Sequence, residues 1–389
     1  MTQATEVSEP RPSTRLSAAT KAGLLLLPLI VLFLFAEFTG RMLERFAGYQ
    51  PRRAAGFLTG NPYLRTALVP GMRFASGPFR VSVNALGFRG PDIVVPKPAN
   101  TFRIFAVGES STFGWKGIHS HEEAWPALLE GKLRAAYPGR SIEVINAGVP
   151  GYTSVEQRIN FMLRISHLQP DAILIYHGNN DLNWSWVPSL ETSLVYGRGP
   201  SVGPPSRFDR LIDQSYVLME LRSRMDFFST SSATKYDVAD TTAIRVLRDN
   251  LVGLVQDARR VGVRAAIGTF AHGLDESGKP GVFSADERAL GVPVLGRWFE
   301  HLSPQGARLS FPEYNAMIRR LAIAEGLPLA EPALKVPGTP EYFTDWCHFT
   351  AKGEERMAEL WFETVHGTGW LETPTANRGS PALREGHRR

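Results

Sequence analysis

Residues Phe102–Gly114 read Phe-Arg-Ile-Phe-Ala-Val-Gly-Glu-Ser-Ser-Thr-Phe-Gly, a short apolar run that gives way at once to small and polar residues. Phe102–Val107 lacks the polar alternation of a half-solvated strand, so it reads as a strand buried on both faces. The residues after it then sit at that strand's carboxyl end. Three more runs share its character: Ile142–Ala147, Ala172–Tyr176 and Val263–Phe270. Helical periodicity lies between and after them, at Glu122–Ala136, Ser154–Ile165, Ala239–Arg260, Pro312–Glu325 and Ala351–Val365. The longest of these places Ile244, Leu247, Leu251, Leu254 and Val255 on one face. Strands that alternate with helices at this spacing pair in parallel through right-handed crossovers. The expectation is a three-layer α/β domain of flavodoxin-like order, with functional residues on loops at the carboxyl ends of the strands.

Composition supports a globular chain: of 389 residues, 43% are hydrophobic and 21% charged, which excludes a disordered or low-complexity protein. The net charge of +5 is spread without Lys/Arg runs, so nucleic acid is not an expected partner. A single cysteine, Cys347, forms no intramolecular disulfide, and the nine histidines have no zinc-finger spacing. No metal or other cofactor is expected.

Gly108–Gly114 resembles a phosphate-binding loop only superficially. Five residues separate its glycines and Trp115 precedes Lys116, so the Gly-Lys-Ser/Thr ending is missing. Its meaning comes from three other segments: Asn146–Gly151 after the second strand, Gly178–Asp181 after the third, and Asp345-Trp346-Cys347-His348 before the last helix. All four fall at strand ends or before helices, where they can converge on one rim. An acyl-transfer site needs such a meeting of nucleophile, base, orienting carboxylate and hydrogen-bond donors.

These four segments, in this order, resemble the blocks of the SGNH hydrolase superfamily, the GDSL esterases and lipases. The resemblance runs from about Phe102 to Val365, with inserts. It implies that Ser110 is the nucleophile, His348 the general base and Asp345 the carboxylate that orients it. It also implies an oxyanion hole made by the backbone amides of Ser110 and Gly151 and the side-chain amide of Asn180. Two departures stand out: Gly-Glu-Ser-Ser replaces Gly-Asp-Ser-Leu in the first block, and Asn179 precedes Asn180 where Gly or Thr is commoner. Neither removes a functional group. A membrane-anchored group of the superfamily shares the stretch Asn84-Ala85-Leu86-Gly87-Phe88-Arg89-Gly90, whose role the sequence leaves open.

The expected chemistry is hydrolysis of a carboxylic ester, such as an acyl group on carbohydrate or lipid, through a Ser110 acyl-enzyme. Interception of that intermediate by a sugar hydroxyl, in an envelope O-acyltransferase, fits the same residues, and a non-catalytic carbohydrate-binding member of the fold is the reading from another class. Competing roles for single residues also stand: Cys347 as thiol nucleophile or buried hydrophobe, His119 and His121 as metal ligands or a solvated loop, His177 and His272 as substrate contacts or packing. Asp181 reads as structural.

The N-terminus supplies a further signal. Ala22–Ala36 carries no charge and, with its neighbours up to Gly40, is long enough as a helix to approach the roughly 30 Å of a bilayer core. Glu37 then sits near the interface. The preferred reading is an uncleaved single-pass anchor with the following domain outside the cytoplasm, against a cleaved signal or a buried core helix. The expected organisation is a polar tail over 1–21, the anchor over 22–40, a connector of small strands and turns over 41–100, and the hydrolase domain over 101–366. That domain carries inserts at about 182–237 and 271–310, which form either walls over the site or surface decoration, and a flexible tail follows over 367–389.

Overall fold

The computed structural model describes residues 17–47, 57–76, 79–115, 117–184, 208, 212, 214–218, 221, 235–239, 241–297, 299 and 302–372. Most of the expected 182–237 insert lies outside the described residues, as do both chain ends.

The core is a five-stranded parallel sheet built from β5 (Thr101–Gly108), β6 (Ser141–Gly148), β7 (Ala172–Tyr176), β8 (Arg264–Gly268) and β9 (Leu329–Ala330). Its spatial order is β6-β5-β7-β8-β9, the expected flavodoxin-like winding. β5 pairs with β6 from Thr101↔Ser141 to Gly108↔Gly148 and with β7 from Ile104↔Ala172 to Gly108↔Tyr176. Every residue of β5 and β7 is buried, as their unbroken apolar runs require. A fully buried aliphatic side chain such as Ile173 or Leu174 contributes roughly 1.5–3 kcal/mol. The strands therefore end in firmly held loops, all on one rim.

Flanking helices complete the layers. α3 (Trp125–Ala136) packs on α10 (Ala351–His366), with Trp125 and Trp361 stacked 5.6 Å apart. α4 (Ser154–Leu163) packs on α6 (Thr241–Arg260), and α6 in turn on α8 (Pro304–Glu325). Two features differ from the sequence expectation. β9 is only two residues long, too short to leave a pattern. α8 begins at Pro304 and not at Pro312, because Ser303 caps it by accepting the Gly306 amide and Pro304 suits the first turn. The end of the expected 271–310 insert is thus helical, and a short helix α7 (Ala285–Ala289) lies within it. Two further single turns, α9 (Pro332–Lys335) and α2 (Ser110–Phe113), follow β9 and β5, and α5 (Asn179–Trp184) follows β7.

Ahead of the sheet, the connector forms two antiparallel hairpins, β1 (Leu58–Asn61) with β2 (Arg65–Leu68) and β3 (Arg73–Ser76) with β4 (Phe79–Ser82). Their apolar side chains Phe57, Leu64, Leu68 and Val81 join Phe113, Val149 and Tyr152 in a second small core beneath the loops of the rim. Beyond the expected end of the domain, Leu371 is buried and its carbonyl receives Arg140.

The N-terminal helix α1 runs Ala18–Ala47, longer than the apolar run, and its stretch Gly23–Met42 has a mean hydropathy of 2.2. Leu24–Leu27 and Leu29–Phe35 are exposed, which removes the core-helix reading. An apolar helix suited to a membrane anchor or a signal sequence remains. The end of its apolar run carries a polar cluster: the Glu37 carboxylate accepts the Ser215 hydroxyl (2.9 Å) and the amides of Tyr216 (3.0 Å) and Val217 (3.1 Å), while Arg41 donates to Glu37 (2.9 Å) and to the Gln214 carbonyl (2.6 Å).

Candidate active site

β5 delivers Ser110 to the rim. Glu109 is still extended, and Ser110 opens the single helical turn α2, which stops at Gly114 in the left-handed region (φ 81°). The loop before α10 supplies the other two members of the expected triad. An isolated antiparallel bridge between Phe343 and Phe349 closes this loop, so that Asp345 and His348 face one another across two residues.

The three side chains form one hydrogen-bonded chain. His348 Nε2 lies 2.8 Å from Ser110 Oγ, and His348 Nδ1 lies 2.8 Å from both oxygens of Asp345. Asp345 Oδ1 also accepts the amides of Cys347 (3.1 Å) and His348 (3.0 Å), so the carboxylate is fixed by the loop it orients. The Ser111 hydroxyl donates to the Cys347 carbonyl (2.9 Å), which ties the Ser110 turn to the His348 loop. Ser110 and Asp345 are each 8% exposed, a recessed pair that still opens to solvent.

Of the expected oxyanion donors, Asn180 is held through its backbone amide by Glu109, the residue before Ser110. Asn180 Nδ2 donates one hydrogen to the Tyr152 carbonyl (3.0 Å), next to Gly151. An amide nitrogen has two hydrogens, so the second is available to a ligand. Gly151 has φ +84°, and a Cβ there would meet open space; its conformation and not crowding calls for glycine.

Behind these groups lies a buried acidic layer. Glu109 is completely buried, and its carboxylate accepts the amides of Gly178 (2.9 Å) and Asn179 (2.8 Å) on Oε1 and of Asn180 (2.9 Å) on Oε2. Burial, helped by the nearby Asp181 charge, pushes its carboxyl up to about 8 against the pull of those three amides. Asp181 accepts the Ser154 hydroxyl (2.5 Å) and amide (3.0 Å), holding the start of α4, and burial raises it to about 7. Its structural reading from sequence matches this placement. His177 is buried next to it, and burial lowers its imidazole to about 3, so it is neutral packing. His272 lies tilted against the Phe311 ring (4.5 Å) and 3.2 Å from Glu276.

The remaining alternatives are reduced by the same geometry. The Cys347 sulfur is buried, 3.6 Å from His348 Nδ1, the nitrogen that Asp345 occupies; the nitrogen that faces a nucleophile faces Ser110. Asp345, Cys347 and His348 are the group among the described residues whose ligand atoms lie close enough to hold a metal ion, within 4.8 Å of one another. A metal there would displace the Asp345–His348 hydrogen bond. His119 and His121 do not form such a group; the partly buried His121 is lowered to about 4 by burial and the neighbouring Arg89 charge. A cavity of about 780 Å³ lined by Arg259, Arg264, Leu329 and Trp370 sits at the strands' amino ends, on the rim opposite Ser110.

Three contributors are not identifiable from sequence: Glu109 as a clamp, Ser111 as a tie, and Trp346, whose indole N–H donates to Asn179 Oδ1 (3.1 Å). An acidic residue placed directly before Ser110 is the one available signal among them.

A family model described as GDSL-like lipase/acylhydrolase matches residues 106–356, well over half of the chain and all of the segments that form the site. The chain belongs to the GDSL-like lipase/acylhydrolase family. It is therefore a hydrolase that acts on esters, with the SGNH fold. Similar solved structures include a lipase/acylhydrolase from Enterococcus faecalis (17% identity, 69% of this chain and 96% of that one, TM-score 0.42). A GDSL-like lipase from Bacteroides thetaiotaomicron shares 14% identity over 68% of this chain and 88% of its own, at a TM-score of 0.38. A catalytic mutant of an acetylxylan esterase from Geobacillus stearothermophilus shares 13% over 69% and 95%, at 0.42. No curated protein matches the chain.

Proposed function

We propose that the protein is a serine esterase that cleaves a carboxylic ester through an acyl-enzyme on Ser110. The observation that carries this reading is the continuous chain Ser110–His348–Asp345, with both imidazole nitrogens engaged at 2.8 Å. A serine hydroxyl is a weak nucleophile at neutral pH. As Ser110 Oγ attacks the ester carbonyl carbon, its proton passes to His348 Nε2, and Asp345 stabilises the imidazolium and holds its tautomer. The electron pair moved onto the carbonyl oxygen is met by the Ser110 and Gly151 amides and Asn180 Nδ2. Collapse expels the alcohol, which takes the proton from His348. Water then repeats the sequence on the acyl-enzyme, with His348 as base, and releases the acid.

We also assign the apolar helix α1 as a single-pass anchor that holds the domain outside the cytoplasm. An ester of an envelope carbohydrate or a lipid is the substrate class that such a placement favours.

The test is hydrolysis of a short-chain nitrophenyl ester by the detergent-solubilised full chain, wild type beside Ser110→Ala. Turnover should fall on the order of 10⁴-fold or more in the variant. Equal rates in two folded proteins would remove Ser110 from the mechanism.

A further inference from the structure

The stretch Asn84–Gly90 has no role in the chemistry described so far, yet it reaches the far end of the turn that Ser110 opens. Asn84 shapes its turn: Oδ1 accepts the amides of Leu86 (3.0 Å) and Phe88 (3.0 Å), and Nδ2 donates to the Pro91 carbonyl (2.9 Å). Phe88 anchors the turn edge-on against Phe105 of β5, 5.5 Å away. The backbone of Arg89 forms antiparallel bridges to Val83 and to Asn146. These contacts send the Arg89 side chain inward, where it is 1% exposed.

The guanidinium meets the end of the turn that Ser110 opens. Arg89 Nη1 donates to the carbonyls of both Phe113 and Gly114, the latter at 2.8 Å. Its Cζ lies 4.5 Å from the centre of the Phe113 ring and 5.6 Å from that of Phe79. Asn146, paired with Arg89 through the backbone, donates from Nδ2 to the Thr112 (2.9 Å) and Phe113 (3.3 Å) carbonyls. Three successive carbonyls after Ser110 are thus held from one side. Burial lowers the Arg89 guanidinium to about 10 while the Glu354, Glu122 and Glu123 charges oppose the shift, so it remains a cation at neutral pH.

A single helical turn has little cohesion of its own, since it makes few internal hydrogen bonds. Its orientation is set by whatever holds its ends. Glu109 fixes the amino end of this turn and Arg89 the carboxyl end. We propose that Arg89 is a positioning residue for Ser110, and that the connector thereby serves the active site as well as linking it to the anchor. The proposal rests on the Ser110 acyl-enzyme reading. It assigns to Arg89 no contact with substrate.

The experiment uses the full chain in detergent with Arg89→Met, which keeps length and apolar packing but has no donors, and Arg89→Lys, which keeps one charged donor centre. Three quantities are read: thermal midpoint, kcat and KM on the short-chain ester, and amide hydrogen exchange of the peptide covering 110–115. In Arg89→Met the exchange of that peptide should rise and kcat should fall up to about 100-fold, the scale of a reacting atom displaced by an ångström, with KM little changed. Arg89→Lys should restore part of kcat. Wild-type kcat in folded Arg89→Met would overturn the proposal, and so would a lower thermal midpoint in both variants with kcat per folded molecule intact. If Arg89→Met does not fold, Arg89→Lys with wild-type kcat and altered exchange at 110–115 also overturns it. Ser110→Ala run alongside separates the two readings: wild-type rates there refute the acyl-enzyme while leaving the exchange result to report on the clamp.

Discussion

The Glu109 carboxylate and the Asn180 backbone are joined by a 2.9 Å hydrogen bond, so the residue before the expected nucleophile positions the loop that carries an expected oxyanion donor. The same carboxylate takes the amides of Gly178 and Asn179. One buried group thus ties the turn of Ser110 to the loop of Asn180. Above pH 8, where Glu109 is ionised, a glutamine cannot replace it without loss: three donors face two acceptor oxygens, and in either orientation the Gln amino group must point at one or two backbone N–H groups. Glu109→Gln should lower kcat by up to about 100-fold with a modest loss of thermal stability. Steady-state kinetics on the folded variant checks this, and an unchanged kcat would show that the clamp is dispensable.

Asp345 offers a sharper test of the base. Its Oδ1 accepts two loop amides, Cys347 N and His348 N. In Asp345→Asn the carbonyl oxygen should keep these two bonds, and the new amino group then faces His348 Nδ1. That donor requires an unprotonated Nδ1 and places the ring proton on Nε2, where it can no longer accept from Ser110. The fold should persist while turnover falls on the order of 10⁴-fold. A variant with near-native rates would assign the base role to another group.

Legibility from sequence followed the reach of the interactions. β5 and β7 were readable because burial on both faces demands unbroken apolar runs, and the winding followed from their alternation with helices. Ser110, Asp345 and His348 were readable through the resemblance, since each stands in a local block of recognisable order, and the structure brings them into contact across 238 positions. Arg89 was not: its partners lie 24 and 25 positions ahead, and an arginine in a polar turn looks solvated until its backbone is seen turned inward. The same holds for Glu109, whose three donors lie 69 to 71 positions on. β9 and the start of α8 leave no sequence signal for local reasons, a strand of two residues and a proline accommodated inside a helix.

The buried carboxyls make stability depend on pH in a predictable direction. Glu354 is fully buried, accepts the Trp125 amide (2.8 Å), and is raised by burial to about 8 from the usual 4.5. The folded state holds its proton more tightly than the unfolded state does. Its contribution is therefore complete below about pH 4.5 and is lost as pH rises towards 8, with a slope of at most about 1.4 kcal/mol per pH unit. Glu354→Gln keeps an oxygen for Trp125 and removes the titration. The thermal midpoint of wild type should fall relative to the variant between pH 5 and pH 8. Parallel curves would mean that the carboxyl is already ionised in the folded state across that range.

The apolar helix α1 meets the insert that follows α5. A carboxylate at the end of an apolar run requires partners, and Glu37 finds them in Arg41 on its own helix and in Ser215, Tyr216 and Val217 across from it. Gly40, one turn further on the same face, makes room for the contact: a Cβ there would lie 2.0 Å from the Tyr216 ring. Glu37→Ala and Gly40→Leu leave the helix apolar, so membrane association should be unchanged in both. Each should nonetheless release the 214–218 segment, the first by removing its acceptor and the second by displacing its ring. Amide hydrogen exchange on the solubilised full chain should show faster exchange at 214–218 in both variants, with the 110–115 peptide as an internal control. Unaltered protection at 214–218 would mean that the segment is held by the domain alone and that α1 does no more than tether it.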